Sequence, residues 1–338
     1  MSRTATWIRG NGFLIALLLA VAAAFVFPDG GARGGWIDPD YVNNGGIALI
    51  LFLQGLSLAS EKIRSGAGNW RLHVIIQSFT FIIFPIVGLV LDRLVPALWT
   101  QEPHAIRQGF LFLCVLPSTI STSVVLTAVA RGNTAGALFN AALSNILGVI
   151  FTPLLVHLLM QSSGVESQGF GGLLVKIMLL TLLPFSIGML LRPRLKYWAD
   201  ANKKWFTRIS NGVIVFIVYS AFCDSVKEDI WHKHGFAETS ITTLVTVLLF
   251  TFMSLLVGLS CKLLKLDRED SIAAYFCSVK KTLAMGVPLA ALIFGQTSEL
   301  SLILLPVMLY HPLQLLVNGM LAVKWGKETQ DLKTQDTR

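Results

Sequence analysis

The sequence predicts an all-α integral membrane protein with ten transmembrane helices, and three observations lead there. Hydrophobic residues make up 54% of the 338 residues and charged ones only 14%, against about 25% charged in a soluble domain. Apolar runs of roughly 20 residues, the length that crosses a bilayer, follow one another along the chain. The basic residues that bring the formal charge to +8 lie in the short joints between those runs. Such placement is a topology signal, so the expected surroundings are a lipid bilayer, with no nucleic-acid partner.

The apolar segments cover residues 12–28, 43–59, 72–91, 108–130, 134–159, 171–191, 209–226, 240–261, 271–294 and 300–323. Glycine, proline and charge clusters separate them, most tightly at Arg131-Gly132-Asn133 and from Gly295 to Glu299. The first segment also resembles a cleaved leader, with Arg3 and Arg9 ahead of an apolar run and Ala22-Ala23-Ala24 after it. It is read as a span because the charge pattern already works with ten. With the N-terminus inside, 19 Lys and Arg residues fall on the cytoplasmic side and six outside, the two lysines within a span completing the 27. The expected protein is therefore a multi-pass inner-membrane protein with both ends cytoplasmic. The run from Arg192 to Arg208 is read as a solvated cytoplasmic joint. Cys114, Cys223, Cys261 and Cys277 lie in or at the ends of spans, with no metal spacing, so a core role is expected for them.

Ten spans divide into two sets of five, at 1–160 and 161–323, with 324–338 left as a cytoplasmic tail. Five is odd, so the second set runs with opposite polarity, the inverted-repeat architecture of many secondary transporters. The fourth segment of each set carries a helix-breaking stretch. In the first set Pro117 is followed by Ser118, Thr119, Ser121, Thr122 and Ser123; in the second, Ser278-Val279-Lys280-Lys281-Thr282 precedes Gly286 and Pro288. Irregular backbone at membrane depth survives only where it is buried or lines a wet cavity.

Lys280 and Lys281 are the most informative residues. An ammonium at membrane depth costs several kcal/mol at least, which makes it a functional-site hypothesis by default. No acid shares its span interior; Asp224 and Asp270 lie at span ends. Lys280 is ten residues in from Asp270, ~15 Å along a helix, which is far for snorkelling to the interface. Adjacent helical residues point about 100° apart, so one lysine is expected to reach the break and the other to face the solute path and attract an anion.

Several stretches resemble the sodium/bile-acid cotransporter family, nearest to its divergent bacterial, bile-acid-symporter-like branch. They are Phe52-Leu53-Gln54-Gly55-Leu56-Ser57-Leu58, Ala130-Arg131-Gly132-Asn133, Phe151-Thr152-Pro153-Leu154-Leu155, Tyr219-Ser220-Ala221-Phe222-Cys223-Asp224, Phe276-Cys277-Ser278-Val279-Lys280-Lys281-Thr282 and Tyr310-His311-Pro312. The resemblance implies a panel of spans one, two, six and seven, and a core of the other six in which the fourth and ninth unwind and cross. It also implies a solute crevice between the two, sodium behind the crossing, and alternating access. At the sodium ligands this chain departs from the family pattern: Ser278 stands where a glutamate is usual, Ala137 and Ala141 replace hydroxyl residues, and Val124 follows the retained Ser123. The third-span glutamine of the family matches Thr80, with Gln77 one turn away. One lysine is therefore expected to put a tethered ammonium where sodium would bind, either as a permanent strut or as a group that exchanges its proton during transport.

The candidate substrate and ion residues are thus Lys280, Lys281, Ser278, Thr282, Ser121, Thr122, Ser123, Asn140, Thr80 and Gln77, with no catalytic residue, no metal ligand and no cofactor. Asn140 and Asn145 are read either as bonds to the crossing or as glue between helices. Gln54 is read as crevice lining or glue, His311 as a satisfied structural histidine or a proton carrier. An intramembrane enzyme is excluded: His73, His157 and His311 sit on separate spans, with no HExxH spacing and no paired acids. The expected function is secondary transport of an organic anion. The alternatives are sodium-coupled bile-acid-like symport and a regulatory membrane protein that has lost transport.

Overall fold

The computed structural model describes residues 12–34, 39–57, 68–94, 104–161, 170–229, 236–295 and 299–336. Arg3, Arg9, Lys62, Arg64 and Lys233, part of the topology argument, lie outside the described residues, as does the centre of the joint between the two sets at 162–169. The elements are α1 (Gly12–Val26), α2 (Pro39–Ser57), α3 (Trp70–Leu94), α4 (His104–Val115), α5 (Ile120–Val129), α6 (Thr134–Gln161), α7 (Phe170–Lys227), α8 (Phe236–Leu263), α9 (Arg268–Ser278), α10 (Leu283–Phe294) and α11 (Leu300–Asp336). Among the described residues six helical stretches are long and apolar enough to cross a membrane, α9 with α10 counting as one, and the bent pair α4 and α5 makes a seventh. Gly12–Val26 and Gly45–Ser57 are shorter apolar helices. The protein is all-helical and multi-pass.

The chain falls into two compact units. The first holds Met1–Leu58, Gly171–Thr239 and Ala284–Leu305; the second holds Ala59–Phe170, Ser240–Leu283 and Pro306–Arg338.

In the first unit α2 packs against α7 with almost no side chain between them. A Cβ on Gly55 would stand 2.1 Å from the Phe185 carbonyl oxygen, and one on Gly188 would stand 2.2 Å from that of Phe52. Small residues let membrane helices approach this closely. The residues read as a solvated joint, 192–208, are mostly exposed, and they are helical, continuous with both flanking spans. Yet α7 is not straight. Gly188 lies on Phe52 while Val213 lies on Gly46; 25 residues of straight helix would separate the first pair from the second by about 37 Å, whereas six residues of α2 span about 9 Å. The helical run therefore turns back on itself, and the rings of Trp198 and Phe206 meet at 5.2 Å across the turn. Leu53, Leu56, Ala199 and Phe206 form its buried cluster. Arg192, at the start of that stretch, departs from the solvated reading. It is buried, donating from Nη1 to the Leu56 carbonyl at the end of α2 (3.2 Å) and from Nη2 to Asp200 (2.9 Å). A helix end with unpaired carbonyls attracts such a cation.

In the second unit the Ala-Arg-Gly-Asn motif closes α5 and ties it to α9. Arg131 takes a positive φ of 61°, and Gly132 N–H returns to the Thr127 carbonyl at 2.8 Å. A Cβ on Gly132 would lie 2.5 Å from Ile272, so the close approach requires glycine here. Asn133 then donates its backbone N–H to Glu269 O (2.9 Å) and its amide to Asp270 (2.7 Å); Asn69, the N-cap of α3, bonds the same carboxylate. The last helix runs past the apolar segment ending at 323, to Asp336. Trp325 packs edge-on against Tyr275 and tilted against Phe276, with ring centres 4.9 and 5.5 Å apart, and Thr329 is buried, accepting from Arg268 Nε at 2.9 Å.

Candidate functional site

Both expected breaks are present. Residues 116–119 interrupt α4 and α5, which meet at 59°, and residues 279–282 separate α9 from α10. The second interruption falls on the lysines themselves rather than at Gly286 and Pro288, which lie inside α10. Pro288 still leaves its mark: it lacks the N–H that would pair with Ala284 O, and Gln54 Nε2 donates to that oxygen at 3.3 Å. Gln54 thus acts as helix glue in the first unit.

The two breaks touch: Thr282 N–H donates to Pro117 O at 3.0 Å. The end of α4 would leave a row of carbonyls without helical donors, and Pro117 removes one donor more. Each carbonyl from 113 to 118 nevertheless has a partner. Leu113 O takes Leu116 N–H (3.4 Å), Val115 O takes the Thr152 hydroxyl (2.9 Å) and Ser118 O takes Asn145 Nδ2 (2.8 Å). Cys114 O and Leu116 O take Lys281 Nζ, at 3.0 and 2.8 Å.

Lys281 Nζ has a third oxygen, Thr80 O on α3, at 3.4 Å. The sequence explains why that oxygen is available. Residues Phe79–Ile83 form a π-helical turn in which Phe84 N–H pairs with Phe79 O. The next donor along would be residue 85, and it is proline. Thr80 O is thereby left without a helical donor, the kind of backbone release that π-turns supply at functional sites. Three carbonyl oxygens match the three donors of an ammonium, which also sits 3.9 Å above the centre of the Phe84 ring, a cation–π contact. Lys281 is 2% exposed. Its backbone is clamped by Gln314 on α11, whose Oε1 accepts Lys281 N–H and whose Nε2 donates to Lys281 O, both at 2.8 Å. Tyr310 OH donates to Val279 O at 2.7 Å, one residue before the lysine pair.

Lys280 contrasts with it in every respect but burial. It is 0% exposed, and among the described residues its Nζ has no hydrogen-bond partner. Its electrostatic neighbours are Cys277 and His311. Ser278 Oγ is buried and unpartnered too.

The remaining expected residues separate into two groups. Ser123 reaches the crossing, donating to Phe276 O at 3.1 Å, and Thr282 reaches it through its backbone. Thr122 bonds Thr119 at 2.9 Å, within its own turn, and Ser121 is exposed on α5. Gln77 and Asn140 sit away from the break: Gln77 Nε2 donates to Asn140 O (3.1 Å), and Asn140 Nδ2 bonds Gly136 O and His73 Nδ1, both at 2.9 Å. It is Asn145, not Asn140, that bonds the broken segment. His311 bonds Gln314 at 3.0 Å. The four cysteines are free and buried, and the described residues contain no group of three or more His, Cys, Asp or Glu that could hold a metal.

Residues missed by sequence reasoning are Gln314, Tyr310, Thr152 and the Phe84-Pro85 pair. Tyr310 opens the Tyr310-His311-Pro312 stretch without having been given a role, Gln314 lies two residues past it, and Pro85 lies five residues past Thr80; those spacings were the available signals.

A multi-pass helical protein with two interrupted spans joined at a caged cation has the build of a membrane transporter. The chain belongs to the SBF-like CPA transporter family, whose pattern matches residues 11–327. It is 36% identical to YfeH of Escherichia coli over 328 residues, covering 96% of this chain and 95% of YfeH. It is 35% identical over 321 residues to PA2026 of Pseudomonas aeruginosa, covering 95% of this chain and 94% of PA2026. To the rat protein named sodium/bile acid cotransporter 7 it is 30% identical over 316 residues, 93% of this chain and 92% of that one.

Proposed function

We propose that this protein is a secondary transporter of an organic anion in which the Lys281 ammonium stands where a symporter would hold sodium. The observation that carries the reading is the cage of Thr80, Cys114 and Leu116 carbonyl oxygens around Lys281 Nζ. Unwound carbonyls and the C-terminal ends of half-helices are the groups that bind a coupling cation in broken-helix transporters. A cation built into the chain occupies that place at all times, so the proposed cycle needs no sodium. Lys280, buried and unpartnered, is the proposed contact for the solute's negative charge, aided by the N-terminal amides of α5 at the first break.

The proposed architecture is ten spans in two inverted sets of five. Supporting it are the doubling back of α7, which supplies two spans, the short apolar helices α1 and α2, and the placing of one break in the fourth segment of each set. The first unit gathers spans one, two, six and seven, as a panel would, together with residues 284–305. The proposed orientation is inner membrane with both ends cytoplasmic.

Sodium-coupled symport is the second reading, favoured by the name of the rat relative. Counterflow in proteoliposomes separates the two. With an amphipathic anion such as taurocholate, exchange is expected to proceed equally in sodium, potassium or choline. Exchange in sodium alone supports symport. Absence of exchange across a panel of organic anions supports a regulatory protein on a transporter fold.

A further inference from the structure

The second unit contains a large cavity that neither the lysine cage nor the solute reading uses. It lies along α8 between Phe250 and Lys262, bounded by α9 and by Val317, Leu321 and Trp325 on one face of α11, with a volume of about 1100 Å³. Its lining is apolar over most of its length and carries two charged residues, Lys262 and Arg268, both basic and both at the same end. At that end α8 finishes, α9 begins and Trp325 packs edge-on against Tyr275. The outer rim is formed by exposed apolar side chains, Phe252, Leu255 and Leu259, which in a bilayer face lipid tails.

We propose that this groove holds an acyl chain of one anionic phospholipid, with the phosphate on Lys262 and Arg268. Three features argue for that occupant. From Phe250 to Lys262 the groove runs twelve residues, ~18 Å along a helix, close to the ~15 Å depth of one leaflet. The charge is at the end where a headgroup would lie, and basic pockets between membrane helices recognise acidic headgroups. Arg268 is held at that end by Thr329 (2.9 Å) and Glu328 (3.0 Å), so its guanidinium is already positioned. The last helix, docked by Trp325 and Thr329, forms one wall; the lipid therefore bridges α8 and α11 and stabilises that docking.

Native mass spectrometry tests this on full-length protein equilibrated with equal amounts of dioleoyl phosphatidylglycerol and dioleoyl phosphatidylethanolamine. The wild type is expected to retain one phosphatidylglycerol in several-fold excess over phosphatidylethanolamine. Lys262→Gln is expected to bring the two near parity. Gly258→Phe is expected to remove both, because a Cβ at 258 meets nothing within 4 Å and the ring has open groove to fill. A melting temperature equal to that of the wild type in lipid-free detergent certifies that the fold of Gly258→Phe is intact. Equal retention of the two lipids by the wild type, or undiminished retention by folded Gly258→Phe, overturns the proposal. So does an equal rise in melting temperature with inorganic phosphate alone, which would mark an anion site without a tail.

Discussion

Replacing Lys281 by Met tests the tethered-cation reading most directly, because it keeps the apolar stem and removes only the charge and its donors. Three buried carbonyls lose their partner, and a buried acceptor left unsatisfied costs about 1–3 kcal/mol. Relief of the desolvation of a buried charge offsets part of this, which keeps the net at the low end of the summed range, about 3–5 kcal/mol. At roughly 2 °C per kcal/mol the protein should melt on the order of 6–10 °C early in detergent. Lys281→Ala opens room at the cage, and sodium should then enter. At a hundredfold excess over its dissociation constant, a bound ion returns about 2.7 kcal/mol, roughly 5 °C on the same scale, which potassium and choline should not match. Lys280→Met serves as the internal comparison: removing an unpartnered buried charge should leave the melting temperature unchanged or raise it. Scanning fluorimetry of the three variants and the wild type across sodium concentration is sufficient. A sodium-specific rise in the wild type, or a Lys281→Met protein that melts within a degree of it, refutes the reasoning.

Four other outcomes follow from the contacts. Gln314→Leu strands both backbone groups of Lys281 and should cost about 2–4 kcal/mol, whereas Gln314→Glu keeps the acceptor and should lose about half as much, read as melting temperature. Pro85→Ala supplies an N–H that competes for the Thr80 and Phe81 carbonyls, so the π-turn should relax; transport in proteoliposomes should fall while stability changes by no more than about 1 kcal/mol. Gly55→Ala or Gly188→Ala pushes a methyl into backbone carbonyl oxygen and should destabilise by about 1–3 kcal/mol. Gly319→Ala, in helix α11 with nothing within 4 Å, should gain about 0.5–1 kcal/mol.

The breaks were legible because they are local chemistry. Pro117 with its hydroxyl neighbours, and two lysines in an apolar run, announce themselves without knowledge of any partner. The joint at 192–208 was legible as a polar turn between spans, but its helical backbone was not. Charge density marks a segment as polar, but helical continuity there rests on α2, whose Leu53 and Leu56 cover Ala199 and Phe206. The choice between the lysines was not legible at all. Both have the same side chain and the same immediate neighbourhood, and what separates them is a set of oxygens 165, 167 and 201 residues away in the chain. Asn145 was noticed and Gln314 was not, although they do parallel work on the two broken strands, because an amide in a span carries no sign of which carbonyl it will meet.

The two lysines illustrate why a fixed charge can be tolerated at a crossing that a free ion would otherwise occupy. A bound sodium ion lowers its own desolvation cost by leaving when its site is exposed; a lysine cannot leave, so its oxygens must be present in every state of the protein. The structure meets that requirement with backbone carbonyls, which cannot rotate away. Two come from the C-terminal end of α4, where the helix dipole already favours positive charge, and one comes from a π-turn whose proline prevents the helix from reclaiming it. All three acceptors, and Gln314 besides, lie in the second unit. On the proposed reading the cage therefore has no need to open during transport. Lys280 has no such cage. A charge on Lys280 would be compatible with burial only if water or a solute anion completed it, and on the proposed reading that difference gives the strut to Lys281 and the substrate contact to Lys280.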